Sequence, residues 1–507
     1  MKLHTLTQKI ISIFSDTRFF VVTQVIFGLQ ASWIALTGLY PQAFDEPYHF
    51  GLIQLHAQQW SPFFATQPAG ADQYGAVVRD PSMLYHYLLS FVYRVIDMFT
   101  HNQTLQIILL RFIGVALIIW AFVLFRRLLL MMGLSRAKAN VTILFFSLLP
   151  VFPLLAGQLN YDNLLIPVTA LTLIWAVRLQ SSYRSSGRVD WLLALRLLVA
   201  MMLFSTIKYP YLPIFFAIVV YFLPMVWKTR RQIIPGLRKD FMALRRKYQL
   251  LYVVSGVVAV WLFAGGIGLN IVRYHQPNPN CEKVISVHQC MEFGPFARDY
   301  DSSQKHIHPN ALRLAVYPAT WANNMMRESF FTVYSYFGAD GKPSYYGGQR
   351  VPQLAVMGWV WFGICVVGLV GGLRVLWRKP VTRLVLFVSA IYIAILLLLR
   401  WQSYYELSYA VAIHGRYLFP VIVGFIGCSI IGLTDLLGRI KRPQLRRTTQ
   451  AVSVVGVLVT LLVYTQGGGF GTYILYSGDG SFWHQSSLAK SANKEIRNGL
   501  RAVVVGQ

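Results

Sequence analysis

Acidic residues are scarce in this chain, with 19 Asp and Glu against 46 Lys and Arg in 507 residues and a formal net charge of +27. Charged residues of both signs reach only 13%, whereas soluble domains carry about 25%. An ordinary soluble domain is thereby excluded. With 55% apolar residues and a mean hydropathy of +0.50, the composition is that of a polytopic membrane protein. The basic residues fall in short blocks between apolar runs, a pattern that orients helices and contacts anionic headgroups rather than nucleic acid. No Gly-rich phosphate loop, P-loop or sizeable domain lies between the runs on the basic side, which argues against an ATP-driven pump. There is no repeat of fixed period, and no low-complexity tract beyond residues 467–469. A signal-peptidase pattern is also missing after the first apolar run, which is expected to remain as a signal anchor.

Apolar runs able to cross a core of ~30 Å at 1.5 Å per residue occupy residues 19–39, 106–125, 141–156, 164–177, 191–207, 211–227, 250–272, 353–375, 384–399, 417–436 and 451–464. A further candidate, 81–99, carries His86, Arg94 and Asp97. Charge decides its status. If it does not span and the N-terminus is cytoplasmic, every strongly basic loop becomes cytoplasmic; if it spans, nearly all turn outward, against the positive-inside rule. Residues 81–99 are therefore expected as an amphipathic helix in the outer interface. The result is eleven spans in a transmembrane domain over 1–466, with a tail at the outer face over 467–507. Outer loops are expected at about 40–103 and 273–350, in the plasma (inner) membrane of a multi-pass protein whose C-terminus is outside.

Cysteines number four. Cys365 and Cys428 lie inside spans as packing residues. Cys281 and Cys290 share the large outer loop, where a disulfide is allowed but spacing alone does not establish it.

The candidate functional residues all fall on the outer side. Phe44-Asp45-Glu46-Pro47-Tyr48-His49-Phe50 follows the first span, and adjacent carboxylates near hydrocarbon are costly to hold. Asp45 suits an N-cap with Glu46 and Pro47 opening a helix, or a general base or metal ligand. His49 is one helical turn from both acids. Asp80 precedes Pro81, and Asp162 sits in Asn160-Tyr161-Asp162-Asn163, where capping the next span is the alternative to a site role. The cationic counterparts are Arg416 and Tyr417 in His414-Gly415-Arg416-Tyr417-Leu418-Phe419-Pro420, with Lys208 and Arg400 at other outer edges. Arg416 is able to fork onto a phosphate or to snorkel to headgroups. Aromatic residues of the large loop, among them Tyr334, Tyr345 and Tyr346, suit sugar faces or an aromatic belt. His306 and His308 are not read as a metal site.

These motifs resemble a known group. A first span followed by Asp-Glu-x-x-His-Phe is similar to the protein O-mannosyltransferases, members of the GT-C superfamily of integral-membrane glycosyltransferases. Asp80-Pro81-Ser82-Met83-Leu84-Tyr85-His86-Tyr87 looks like the start of that superfamily's interfacial helix, and Leu110-Arg111-Phe112 like its next element. Asp45-Glu46-Pro47-x-His49, Asn160-Tyr161-Asp162, Glu328-Ser329-Phe330 and Gly415-Arg416-Tyr417-Leu418-x-Pro420 most closely resemble an uncharacterised family of bacterial polytopic membrane proteins near that superfamily. The resemblance implies an all-α bundle of about eleven transmembrane helices. It assigns Asp45 the catalytic carboxylate and Asp162 the second acidic position, with Glu46 beside them.

The implied reaction moves a sugar from a polyprenyl-phosphate carrier to a glycan, lipid or protein acceptor of the envelope, inverting the anomeric carbon. Substrate-binding roles are expected for His49, Asp80, Tyr161, Lys208, Arg400, Arg416 and Tyr417. A divalent metal ion is compatible with the acids but not required by the chemistry. The rival readings are a transporter or flippase of a lipid-linked or anionic substrate, and a scaffold subunit whose carboxylates only cap helices. The enzyme reading expects Asp45, Asp162 and Arg416 to line one outward-facing cavity, with Asp45 and Arg416 within about 15 Å, room for a sugar phosphate between hydrogen-bonding groups.

Overall fold

The computed structural model describes residues 2–42, 45–305, 308–330, 332–335, 344–347, 352–467, 473 and 487–505. Among them nine helices are long and apolar enough to cross a membrane, and the chain is an all-α polytopic membrane protein. Among the described residues the only strands are Thr332–Ser335 and Ser344–Gly347, which pair antiparallel.

The helices run in chain order α1 (Lys2–Ser15), α2 (Thr17–Thr37), α3 (Glu46–Ala57), α4 (Leu84–Asp97), α5 (Gln103–Met131), α6 (Arg136–Leu148) and α7 (Val151–Ala156). There follow α8 (Asp162–Ser186), α9 (Trp191–Ser205), α10 (Leu212–Thr229), α11 (Ile233–Met242), α12 (Arg246–Phe263) and α13 (Leu269–Tyr274). After the short α14 (Val287–Cys290) come α15 (Gly294–Gln304), α16 (Ala311–Phe330), α17 (Pro352–Arg378), α18 (Pro380–Leu407), α19 (Phe419–Gly438), α20 (Pro443–Gly467) and α21 (Ser487–Val505). Side-chain caps start several of them: Asp16 accepts from the Arg18 amide, Asn102 from Leu105, Ser135 from Lys138 and Asp190 from Leu193.

Two of the eleven expected spans differ from a continuous long helix. The run 141–156 is broken between α6 and α7, where Pro150 has no amide to continue the ladder. The six residues of α7 are all buried against the bundle. The run 191–207 is the 15-residue α9, which Thr206 ends. Length therefore supports nine spans outright, and eleven is not fixed by it.

Close helix approach is built on small residues. On α17 and α19 a Cβ added to Gly432 would lie 1.9 Å from the Gly368 carbonyl oxygen, and one added to Gly372 would lie 2.2 Å from the Gly432 Cα. Without side chains there, the two backbones meet directly. Gly114 of α5 similarly admits the carbonyl of Ala156, at the end of α7, and the side chain of Asn163, in the first turn of α8.

The bundle has two chemically distinct ends. At one, Arg126 of α5 donates to Asn140 of α6 (2.7 Å), and the Asn140 amide donates to the carbonyls of Phe14 at the end of α1 and Asp16 before α2. Lys138 bonds Thr434 near the end of α19 (2.6 Å). At the other end the C-terminus of α2, the start of α3 and the N-termini of α8 and α19 come together with the α9–α10 connection. The acids identified in the sequence sit there.

Helix α4 is too short to span, at 14 residues or about 21 Å. It packs on α3 with Leu84, Tyr85, His86, Leu89 and Ser90 buried, while Leu88, Val95 and Phe91 remain exposed. Arg94, one of the charges that argued against a span, donates to the carbonyls of Ala57 and His56 at the end of α3 and lies 4.0 Å from the Trp60 ring. It satisfies carbonyls that α3 leaves open. In the large loop Cys281 and Cys290 form a disulfide. His306 and the side chains of Glu328, Tyr334, Tyr345 and Tyr346 lie outside the described residues. The described part of the tail returns to α2: Tyr473 and Thr37 share a hydroxyl bond (2.6 Å), and the Trp33 indole donates to Asn493 of α21 (2.8 Å).

Candidate functional site

Asp45 and Arg416 are 371 positions apart in sequence and meet at 3.1 Å, Arg416 Nη2 to Asp45 Oδ2. The two arrive differently. Arg416 lies in the turn Gly415–Leu418, whose Gly415 carbonyl accepts from Ser329 of α16 and whose Tyr417 carbonyl accepts from Tyr392 of α18 (2.7 Å). Its side chain is 5% exposed, against 46% for that of Asp45. Asp45 occupies the N-cap position of α3 but makes no capping bond, so the capping reading does not hold for its side chain. Its backbone is left-handed (φ 66°, ψ 29°), a conformation that costs a non-glycine residue about 1–3 kcal/mol and persists only where the surrounding structure holds it.

The next residue, Glu46, is held on every side. Its Oε1 accepts from Arg111 Nε (2.8 Å) and the Leu159 amide (3.1 Å), and its Oε2 from Arg111 Nη2 (2.8 Å) and the Gln42 amide (2.8 Å). Those bonds use all four acceptor positions of the carboxylate. Arg111 spends its other amino group on the carbonyls of Ala35 and Gly38 at the end of α2. Both side chains are almost wholly buried. Glu46, expected among the catalytic acids, is thus a fastening between α2, α3, α5 and the turn before α8. No acceptor position is left for a substrate. Arg111 belongs to the Leu110-Arg111-Phe112 motif, and a guanidinium inside an apolar run is the sequence signal that points to a buried partner.

Asp162 opens α8 without capping it, since the Asn160 side chain accepts the Asp162 amide (2.8 Å). Its Oδ1 takes a 2.6 Å bond from Lys208 Nζ, and its Oδ2 lies 3.8 Å from Arg416 Nε. The Lys208 ammonium is buried between two aromatic faces, 4.2 Å from the Tyr161 ring centre and 4.7 Å from that of Tyr417, a placement that substitutes ring quadrupoles for lost hydration. Burial pulls the Lys208 ammonium down to about 8, against the opposing pull of Asp162. Asp45, Asp162, Lys208 and Arg416, with Tyr161 and Tyr417, therefore form one charged cluster contributed by four separate stretches of chain.

The remaining expected residues stand apart from it. His49 is buried behind Tyr161, whose ring meets it edge-on at 4.6 Å, and His49 Nδ1 is 2.9 Å from His86 Nε2. Burial, with Arg416 and Lys208 nearby, holds His49 well below the usual imidazole range, and burial does the same to His86. Two neutral rings can share one N–H between them; two imidazoliums cannot. Asp80 accepts from the Ser82 amide (2.8 Å) and the Tyr48 hydroxyl (3.2 Å), and burial raises it despite both bonds. Arg400 makes no ion pair with Asp45 or Asp162 among the described residues, and its Nε is buried without a hydrogen-bond partner there. Tyr48 and Ser329, which hold Asp80 and the Arg416 turn, are legible in the sequence only as members of motifs, and Tyr392, which also holds that turn, not at all.

Among the described residues no group of three or more His, Cys, Asp and Glu side chains is gathered as a metal site. The two cluster acids face cations instead. An apolar groove lined by Leu195, Phe241, Val257 and Trp261 shares no residue with the cluster.

Compared with known proteins, the chain matches no family model and no curated protein sequence.

Proposed function

We propose that the cluster transfers a sugar from a polyprenyl-phosphate carrier to an acceptor hydroxyl at the outer face of the plasma membrane. The observation that carries this reading is the convergence of one exposed carboxylate, Asp45, with two buried cations, Lys208 and Arg416, at the end of the bundle away from the Arg126 and Lys138 contacts. By the positive-inside rule the basic end is cytoplasmic, which puts the N-terminus inside and the cluster outside. The motif resemblance to GT-C glycosyltransferases points the same way.

In this mechanism Asp45 removes the acceptor hydroxyl proton as that oxygen bonds to the anomeric carbon. The bond from that carbon to the phosphate oxygen breaks with its electron pair staying on the phosphate, and the carbon inverts. Arg416 and Lys208 offset the charge that develops on the leaving phosphate. The leaving group is already a stable anion, so no strong general acid is needed. Asp162 holds both cations in place, and Glu46 with Arg111 holds the backbone that presents Asp45.

Single-turnover sugar transfer from a polyprenyl-phosphate donor tests the reading. Asp45→Asn is expected to lower the rate by ~10²–10⁴ without loss of thermal stability. Near-parental transfer by a folded Asp45→Asn protein overturns it and favours the transporter or flippase reading.

A further inference from the structure

Arg416 already holds an anion, and that anion is Asp45. A guanidinium edge that binds a carboxylate oxygen presents the same donors a phosphate oxygen takes. Asp45 takes the Nη2 donor of Arg416, so a phosphate that bonds there has to displace it. The two sides of the contact are unequal. Arg416 is buried, backed by Asp162 Oδ2 at 3.8 Å and carried on a turn pinned by Ser329 and Tyr392. Asp45 is half-exposed and lies at the open start of α3. If one partner yields, it is Asp45.

The charges favour the exchange. Glu46 and Arg111 neutralise each other, so with Asp45 withdrawn the cluster holds Lys208 and Arg416 against Asp162, one net positive charge. A sugar linked to a lipid through a single phosphate is a phosphodiester with one negative charge. It restores the balance Asp45 supplied.

We propose that Asp45 is an internal occupant of the phosphate seat on Arg416, displaced by the incoming donor. Its carboxylate then faces the acceptor hydroxyl only after the donor phosphate has bound. This rests on the donor reading above and adds an order to it: donor first, acceptor second. A site so arranged also protects itself, because without donor the carboxylate is engaged with the guanidinium and not with a stray hydroxyl or water.

The test is binding of farnesyl phosphate, a short isoprenoid phosphate, to the full-length protein in nanodiscs. The proteins are the parent, Asp45→Asn, Arg416→Gln and the double variant, each checked for folding by thermal unfolding. Asp45→Asn is expected to bind roughly fivefold or more tighter than the parent, in the range of ordinary coupling between sites. In the Arg416→Gln background the same substitution is expected to gain less than twofold, since the contested seat is gone; the cycle separates competition for Arg416 from the general effect of removing a negative charge. If the parent binds and Asp45→Asn binds no tighter, the displacement is overturned while the donor reading stands. Equal tightening in both backgrounds overturns it as well, leaving only bulk electrostatics. Failure of the folded parent to bind farnesyl phosphate overturns the donor reading itself.

Discussion

Arg111 grips Glu46 through two parallel bonds of 2.8 Å, and through Ala35, Gly38, Gln42 and Leu159 that one buried pair ties three helices and a turn together. Glu46 is the residue next to Asp45 in the chain. A buried pair of this kind is costly to break by removing one partner, because the other is left charged and alone.

Arg111→Met is therefore expected to destabilise the protein by about 3–5 kcal/mol. Arg111→Lys keeps the charge but loses the planar fork and should fall between. Thermal unfolding in nanodiscs reads both. Glu46→Gln separates the roles of that acid: a lowered transition temperature is expected from a fastening. An unchanged transition temperature with abolished transfer would instead make Glu46 a reacting group.

Lys208 connects function to pH. Its ammonium is held down to about 8 by burial, so it is charged at pH 7 and loses its proton as pH rises through that value. Phosphate affinity is expected to drop between pH 7 and 9 in the parent and to stay level in Lys208→Arg, whose guanidinium remains charged. The stability effect has the opposite sign. Between about 8 and the ordinary lysine value of about 10.4 the unfolded chain binds more protons at this position, so Lys208 contributes rising stability with pH there. Parallel pH series of binding and unfolding check the two slopes, and a flat binding profile in the parent removes Lys208 from the phosphate site.

Sidedness is open to labelling. The two free cysteines are buried and the other two are bonded, so the background for a membrane-impermeant thiol reagent is low. A cysteine replacing the exposed Gln73 is expected to label in intact cells, and one replacing Arg238 only after permeabilisation. Labelling at Arg238 from outside would invert the topology argued from the basic loops.

Much of the architecture was legible because it depends on local physics. A run of apolar residues long enough to cross hydrocarbon becomes a helix wherever it sits, since every backbone group must be satisfied within the segment. The reading of 81–99 as a non-spanning amphipathic helix rested on charge and matches the short α4 on α3. Where local rules compete, the run alone does not give the element: 141–156 is largely apolar, and Pro150 divides it into two helices.

Residue types and their end of the bundle were legible in the same way, since acids and cations at helix ends are costly to hold and stand out. The partners were not. Asp45 and Glu46 are neighbours in an identical local context, and nothing in their spacing separates an exposed carboxylate on Arg416 from a saturated one on Arg111. His49 follows one turn later and still turns away, into a buried pair with His86. Hydropathy and charge act along the chain and so mark membrane class, helices and candidate groups. Which carboxylate meets which cation depends on contacts between positions tens to hundreds of residues apart, and only the packed bundle creates those distances.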